Sequence, residues 1–279
     1  MKTSMPRFAP HTSLPEIIWH YLHRAIGVGV LLFLVLPIVV IIPLSFNANT
    51  FLIYPIHEFS LRWYHNLFTA SEWLRAAKNS FIVSPFATFF ATLLGTLAAL
   101  GLNRATFKGK GILTGMLVSP MIVPVIVTAV GMYLLFARWG ISGTYVGLVM
   151  SHTALAAPFV VVTVSATLSG FDYNYVRASL SLGASPTWTF FHITLPIIAP
   201  GVISGALFAF ATSFDDVVMT LFVAGPTQGT LPLQMFTGIR ENITPTIAAL
   251  ATILIAFASL LLLTAEWLRA RSERRVRSQ

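Results

Sequence analysis

Apolar residues run along this chain in six long blocks. Those at residues 25–46, 79–103, 111–137, 144–168 and 242–265 contain no Asp, Glu, Lys or Arg, and the remaining one, about 197–223, is interrupted only by Asp215 and Asp216. Each meets the roughly 20 residues that a helix rising about 1.5 Å per residue needs to cross a hydrocarbon core about 30 Å thick. The runs are continuous and lack the two-residue alternation of barrel strands. The pattern predicts an all-α integral membrane protein with six transmembrane helices. Two polar connections stand out by length, 47–78 and 169–194. In the first, FSLRWYHNLFTASEWLRAAKNS places Leu61, Tyr64, Leu67 and Phe68 at helical spacing, which predicts a short amphipathic helix at the membrane surface. Trp63 and Trp73 read there as belt residues at headgroup level.

Composition agrees with this pattern and excludes a soluble domain: 56% of residues are hydrophobic, 9% are charged and mean hydropathy is +0.80, against about 25% charged in soluble proteins. The net charge of +8 acquires a topological meaning once Lys and Arg are placed. Twelve lie in the N-terminal segment, the connections after the second and fourth blocks, and the C-terminal tail, whereas five (Arg62, Arg75, Lys78, Arg138 and Arg240) lie on the other side. The cytosolic side carries the excess, so both termini and residues 169–194 are expected in the cytosol. The basic residues are dispersed over helix ends and form no groove for nucleic acid. The first block is longer than the roughly 7–15 residues of a signal-peptide core and no A-x-A-like site follows, so it is expected to stay attached. Cysteine is absent, which excludes disulfides and thiol chemistry. No linker separates domains, so residues 1–279 are expected to form a single transmembrane domain.

Within the blocks, Pro85, Pro120, Pro124, Pro158 and Pro200 each remove a backbone donor. Gly95, Gly101, Gly131, Gly201 and Gly205 are expected to allow close helix approach. Carboxylates at membrane depth are costly and point to function. Asp215 and Asp216 are therefore candidates for a substrate path, and their charge suits a cationic cargo. Adjacent helical residues lie about 100° apart, so the two cannot share one direction. His152 is expected to satisfy a neighbouring helix or carbonyl. His57, His65 and Glu58 lack the spacing of a metal site.

The connection 169–194 carries the most information, in RASLSLGASPTWTFFHITLP at 177–196. Asp172 reads as the cap of a helix starting at Tyr173 or Asn174, Gly183 as its end, and Ser185 with Pro186 as the start of a second short helix. His192 lies beside it. Helix, sharp turn and helix make a knob suited to a groove on a cytosolic partner.

These residues resemble the signature of the permease subunits of bacterial ABC importers: E-A-A, three residues, Gly, nine residues, I-x-L-P. Ala178, Gly183, Ile193, Leu195 and Pro196 stand in register, whereas Arg177 replaces the usual glutamate and Ser179 the second alanine. The outer FSLRWYHNLF stretch is similar to the family as well. FDDVVMTLFVAGPTQGTLPLQMF with PTIAALATIL looks most like the second permease subunit of spermidine/putrescine importers. The resemblance implies a type I importer fold with a coupling helix between helices 4 and 5, within 172–196. It implies that Arg177, Ala178, Ser179, Gly183, Ala184, Ser185, Pro186, Ile193, Leu195 and Pro196 meet a separate ATPase. It further implies a second permease, two ATP-binding subunits that hold ATP and Mg, a substrate-binding protein, and residence in a bacterial inner membrane with a polyamine or related cation as cargo. No G-x-x-x-x-G-K-[ST] loop occurs in this chain, so it cannot cradle nucleotide phosphates in that manner, and no catalytic residue is expected. The alternative is a transporter or channel working alone on an ion gradient, which predicts inverted repeats or coupling charges that the chain does not display. A membrane enzyme would need a constellation such as H-E-x-x-H, which is also lacking.

Overall fold

The computed structural model describes residues 14–241 and 243–277. In chain order the helices are α1 (Leu14–Leu44), α2 (Arg62–Thr69), α3 (Ser71–Arg104), α4 (Lys110–Val118), α5 (Val125–Trp139), α6 (Tyr145–Ser169), α7 (Asn174–Ser181), α8 (Pro186–Thr189), α9 (Leu195–Phe214), α10 (Val218–Val223), α11 (Leu231–Glu241) and α12 (Pro245–Arg277). Lys2 and Arg7, used for the predicted orientation, lie outside the described residues.

Among the described residues, four helices are long and apolar enough to span a membrane: Ile18–Leu44, Ser71–Arg104, Tyr145–Ser169 and Pro186–Phe214. The predicted third span, 111–137, is instead a pair, Lys110–Met121 and Val125–Trp139, bent by 100°. Two prolines cause the bend. Pro120 sits in a 3-10 turn after α4 and Pro124 is the non-helical N-cap of α5; neither donates a backbone bond. The predicted fifth span, 197–223, is also corrected. α9 stops at Phe214 and α10 restarts at Val218. The sixth corresponds to the shorter apolar stretch Pro245–Leu260 within α12.

One compact unit comprises residues up to 66 together with 243–266. Its α1 exposes apolar side chains along its length, and none of its most apolar window is buried. After α1 the chain is organised by buried Asn47. Its Nδ2 donates to the Ile53 carbonyl at 3.0 Å, its Oδ1 accepts the Asn49 amide at 3.1 Å, and its own carbonyl accepts Trp63 Nε1–H at 2.7 Å. Trp63 is therefore an internal packing residue and not a belt residue.

The second unit contains residues 67–242 and the C-terminal end. Trp73 is buried here too, which corrects its predicted belt position. The buried positions of α2 are Trp63 and Leu67, one helical turn apart, whereas the expected apolar positions Leu61 and Phe68 are exposed. The core joins α3, α6 and α9 through Ala91, Ala99, Ala156, Val160, Ile198 and Ala209. Small residues set the spacing of α9 on α6. A Cβ on Gly205 would stand 2.5 Å from Thr163 Oγ1 and 3.0 Å from Val160 Cα, and one on Gly201 would collide with the Thr167 hydroxyl. Gly101 and Gly131 have nothing within 4 Å of that position, so the expected close packing does not involve them. A second cluster, Val83, Phe136, Leu148 and Val223, seats α10 against α5 and α6.

Candidate functional site

The connection 169–194 forms the expected knob. Asp172 Oδ1 accepts the Asn174 amide at 2.9 Å, which satisfies an orphan donor at the start of α7. At its end the Ala184 amide donates to the Ser179 carbonyl at 3.2 Å and the Gly183 amide to Leu180 at 3.0 Å. Those two bonds define a Schellman stop. It requires the left-handed φ of +87° that Gly183 adopts. Ser185 then caps α8, its Oγ accepting the Trp188 amide at 3.2 Å, with Pro186 in the first turn. Ser179, one of the two departures from the signature, is buried and bonded hydroxyl to hydroxyl with buried Thr189 at 2.9 Å, which ties α7 to α8. The other departure, Arg177, is exposed on α7 with Ala178.

The rest of the signature forms the root of the knob. Residues 190–194 make a π turn that leads into α9, with Ile193 and Leu195 half-buried and Pro196 exposed. The His192 ring stacks on Trp188 at 4.4 Å between centroids, and its Nδ1 lies 3.0 Å from the Trp188 carbonyl. Tyr173 donates to Asn103 Oδ1 at 2.7 Å and carries the Arg104 guanidinium 5.5 Å above its ring, which anchors the knob to the end of α3. Outward it shows Leu182, 88% exposed, with Tyr175 and Trp188 beside a cleft of about 650 Å³. Such an apolar rim is what a docking surface requires.

The other candidate pair sits at the opposite end of α9. Asp215 and Asp216 occupy the break before α10, and the structure separates them: Asp215 is exposed and Asp216 is buried. Asp216 Oδ2 accepts the Thr220 amide at 3.1 Å and lies 3.6 Å from His152 Nε2. His152 is fully buried on α6 and bonds Ser213, a neighbouring carbonyl as expected, at 3.1 Å.

Sequence reading missed the clamps on the segment after α10. Asn79 Nδ2 donates to the Thr227 and Gly229 carbonyls at 2.9 and 2.8 Å, and its Oδ1 accepts from Tyr145 at 2.6 Å. Ser80 Oγ accepts the Leu231 amide at 2.8 Å, and the Gly143 amide donates to Val223 at 2.9 Å. A signal existed in the adjacent polar pair opening an apolar block, since buried amides at membrane depth need partners. Their partners lie some 150 positions away, beyond the reach of any local pattern.

Residues 91–278 match the model of the family "Binding-protein-dependent transport system inner membrane component". The chain is 39% identical over 241 residues to the spermidine/putrescine transport system permease protein PotC of Escherichia coli (strain K12), covering 86% of this chain and 90% of that one. It is 33% identical over 249 residues to the putrescine transport system permease protein PotI of the same strain, covering 87% and 88%. Among solved structures, a bacterial ABC transporter importing the acidic polysaccharide alginate shares the fold, with a TM-score of 0.73 at 11% identity, covering 94% of this chain and 99% of that one. The methionine ABC transporter MetNI aligns with a TM-score of 0.54 at 19% identity over 74% of this chain and 94% of that one. With a family match over residues 91–278 and relatives at 33–39% identity over most of its length, this chain belongs to the binding-protein-dependent transport inner membrane components, the non-catalytic permease subunits of ABC importers.

Proposed function

We propose that the chain forms, as a single permease domain, half of the translocation pathway of a polyamine importer in a bacterial inner membrane, with both termini cytosolic. The observation that carries the cargo is the likeness to two polyamine permeases over nearly nine tenths of the chain. Exposed Asp215 supports the same choice, because a carboxylate at membrane depth favours a cation. In this reading a second permease completes the pathway, two ATP-binding subunits holding ATP and Mg dock on the two knobs, and a binding protein delivers putrescine or spermidine from outside. Leu182, Trp188 and Tyr175 supply apolar contact to the ATPase, with Arg177 as the charged group on α7. ATP binding closes the ATPase pair and draws the knobs together, which opens the pathway outward. Hydrolysis resets it.

The test is ATP hydrolysis by the four-subunit complex in liposomes, with binding protein empty or loaded with putrescine or spermidine. Stimulation by the loaded protein is expected. An assembled, basally active complex that ignores both amines refutes the cargo, and failure of the folded chain to assemble with any ATPase refutes the importer.

A further inference from the structure

The chain leaves helical geometry at residues 215–217, between α9 and α10, so carbonyls in the last turn of α9 lose the amides that a continuing helix would supply. α6 answers through one side chain. His152 Nδ1 lies 3.1 Å from the Ser213 carbonyl oxygen and 2.9 Å from Ser213 Oγ. A carbonyl only accepts, so Nδ1 carries the proton. On the other edge of the ring, Nε2 meets the Thr220 hydroxyl at 3.1 Å, a group that serves Nε2 as donor or acceptor alike. Thr230 donates in turn to Thr220 Oγ1 at 3.5 Å. One imidazole thus touches the last turn of α9 and the first turn of α10. Asp216, held between them, spends a carboxylate oxygen on the Thr220 amide. Asp215, its neighbour in the break, is exposed.

We propose that His152 is the positioning residue of the cargo path: it braces the break so that Asp216 stays inside, capping α10, while Asp215 faces outward to meet the cation. The cargo half of this statement rests on the polyamine reading above; the brace does not. A histidine that merely fills space would be replaceable by an apolar residue of similar volume. A brace demands the donor on one edge and the polar partner on the other.

The absence of cysteine supplies the test. In the assembled complex, Asp215→Cys gives this chain a single labelling site for a membrane-impermeant cationic thiosulfonate, read as label on this chain after the subunits are separated, with and without His152→Leu, His152→Asn or His152→Gln. Asn keeps a donor near the Nδ1 position and Gln keeps a polar group near Nε2. A change of about tenfold in labelling rate is expected for Leu, the scale of one lost buried hydrogen bond, with Asn and Gln between it and the parent. With Asp215 restored, putrescine imported per ATP hydrolysed should fall in the same order. Equal labelling rates in the parent and every variant that assembles overturn the brace, as does uptake that falls only in proportion to the amount of complex. Where Leu fails to assemble, Asn and Gln decide. The same labelling order in a complex that imports no polyamine upholds the brace and overturns the cargo reading instead.

Discussion

Gly183 offers a clean perturbation of the knob, because nothing lies within 4 Å of where its Cβ would stand. A substitution there meets backbone strain without a steric clash. At φ +87° a residue with a Cβ pays about 1–2 kcal/mol, less for Asn, which tolerates the left-handed region, and more for a β-branched side chain. Gly183→Asn should therefore be mild and Gly183→Ala should cost about 1 kcal/mol, a factor of about five in the opening of the α7 end, with Gly183→Val worse still. The bonds at stake are Ala184 to Ser179 and the residue-183 amide to Leu180. Hydrogen exchange of those two amides in the reconstituted protein reads the opening directly, and the affinity of the knob for its ATPase subunit should fall in the same order. If Val exchanges as slowly as Gly, or if Ala and Asn are indistinguishable, the stop is not what organises the knob and the reasoning fails.

Three further outcomes follow from the second unit. Gly205→Leu forces atoms into Thr163 and Val160 and should lower thermal stability in detergent by about 1–3 kcal/mol, the usual cost of overpacking; an unchanged melting temperature would deny the α6–α9 contact. Asn79→Leu strands the Thr227 and Gly229 carbonyls and the Tyr145 hydroxyl, at about 3 kcal/mol or more, and faster limited proteolysis between residues 224 and 230 would reveal it, whereas unchanged cleavage would contradict the clamp. Asp215→Asn should reduce putrescine uptake about tenfold, the order of one charge-assisted contact, and unaltered uptake would remove the residue-level support for a cationic cargo.

The helices and the knob were legible because their signals are local. Continuous apolar blocks mark spans, and Asp172, Gly183, Ser185 and Pro186 each act on a neighbour within a few residues. The breaks were half legible. Pro120 and Pro124 were noted as lost donors, but the size of the bend they accompany, 100°, is not written in their spacing. The α9–α10 break carries no proline at all, and hydropathy runs through it. What holds it open is a histidine 61 positions earlier in the chain. The tryptophans misled for a related reason. A belt position and a buried position look alike in sequence, and only Asn47, with a carbonyl to spare for the Trp63 indole, distinguishes them.

α9 places the knob and the break under one mechanical constraint. Its first residue, Leu195, belongs to the coupling signature and its last, Phe214, borders Asp215. Twenty residues at about 1.5 Å each separate those ends by about 30 Å, too far for direct contact. Pro200 removes one hydrogen bond inside it, which would make a free helix a poor lever. Yet Gly201 and Gly205, directly after the proline, seat this part of α9 on Thr167 and Thr163 of α6, and any rotation would drive a larger side chain into that contact. α6 also carries His152. The helix packed along α9 is therefore also the one whose histidine reaches the break. In the importer proposed above, displacement of the knob should therefore reach Asp215 as a shift of α6 and α9 together, and a cross-link that fixes α6 to α9 should leave transport intact; loss of transport on cross-linking would refute this.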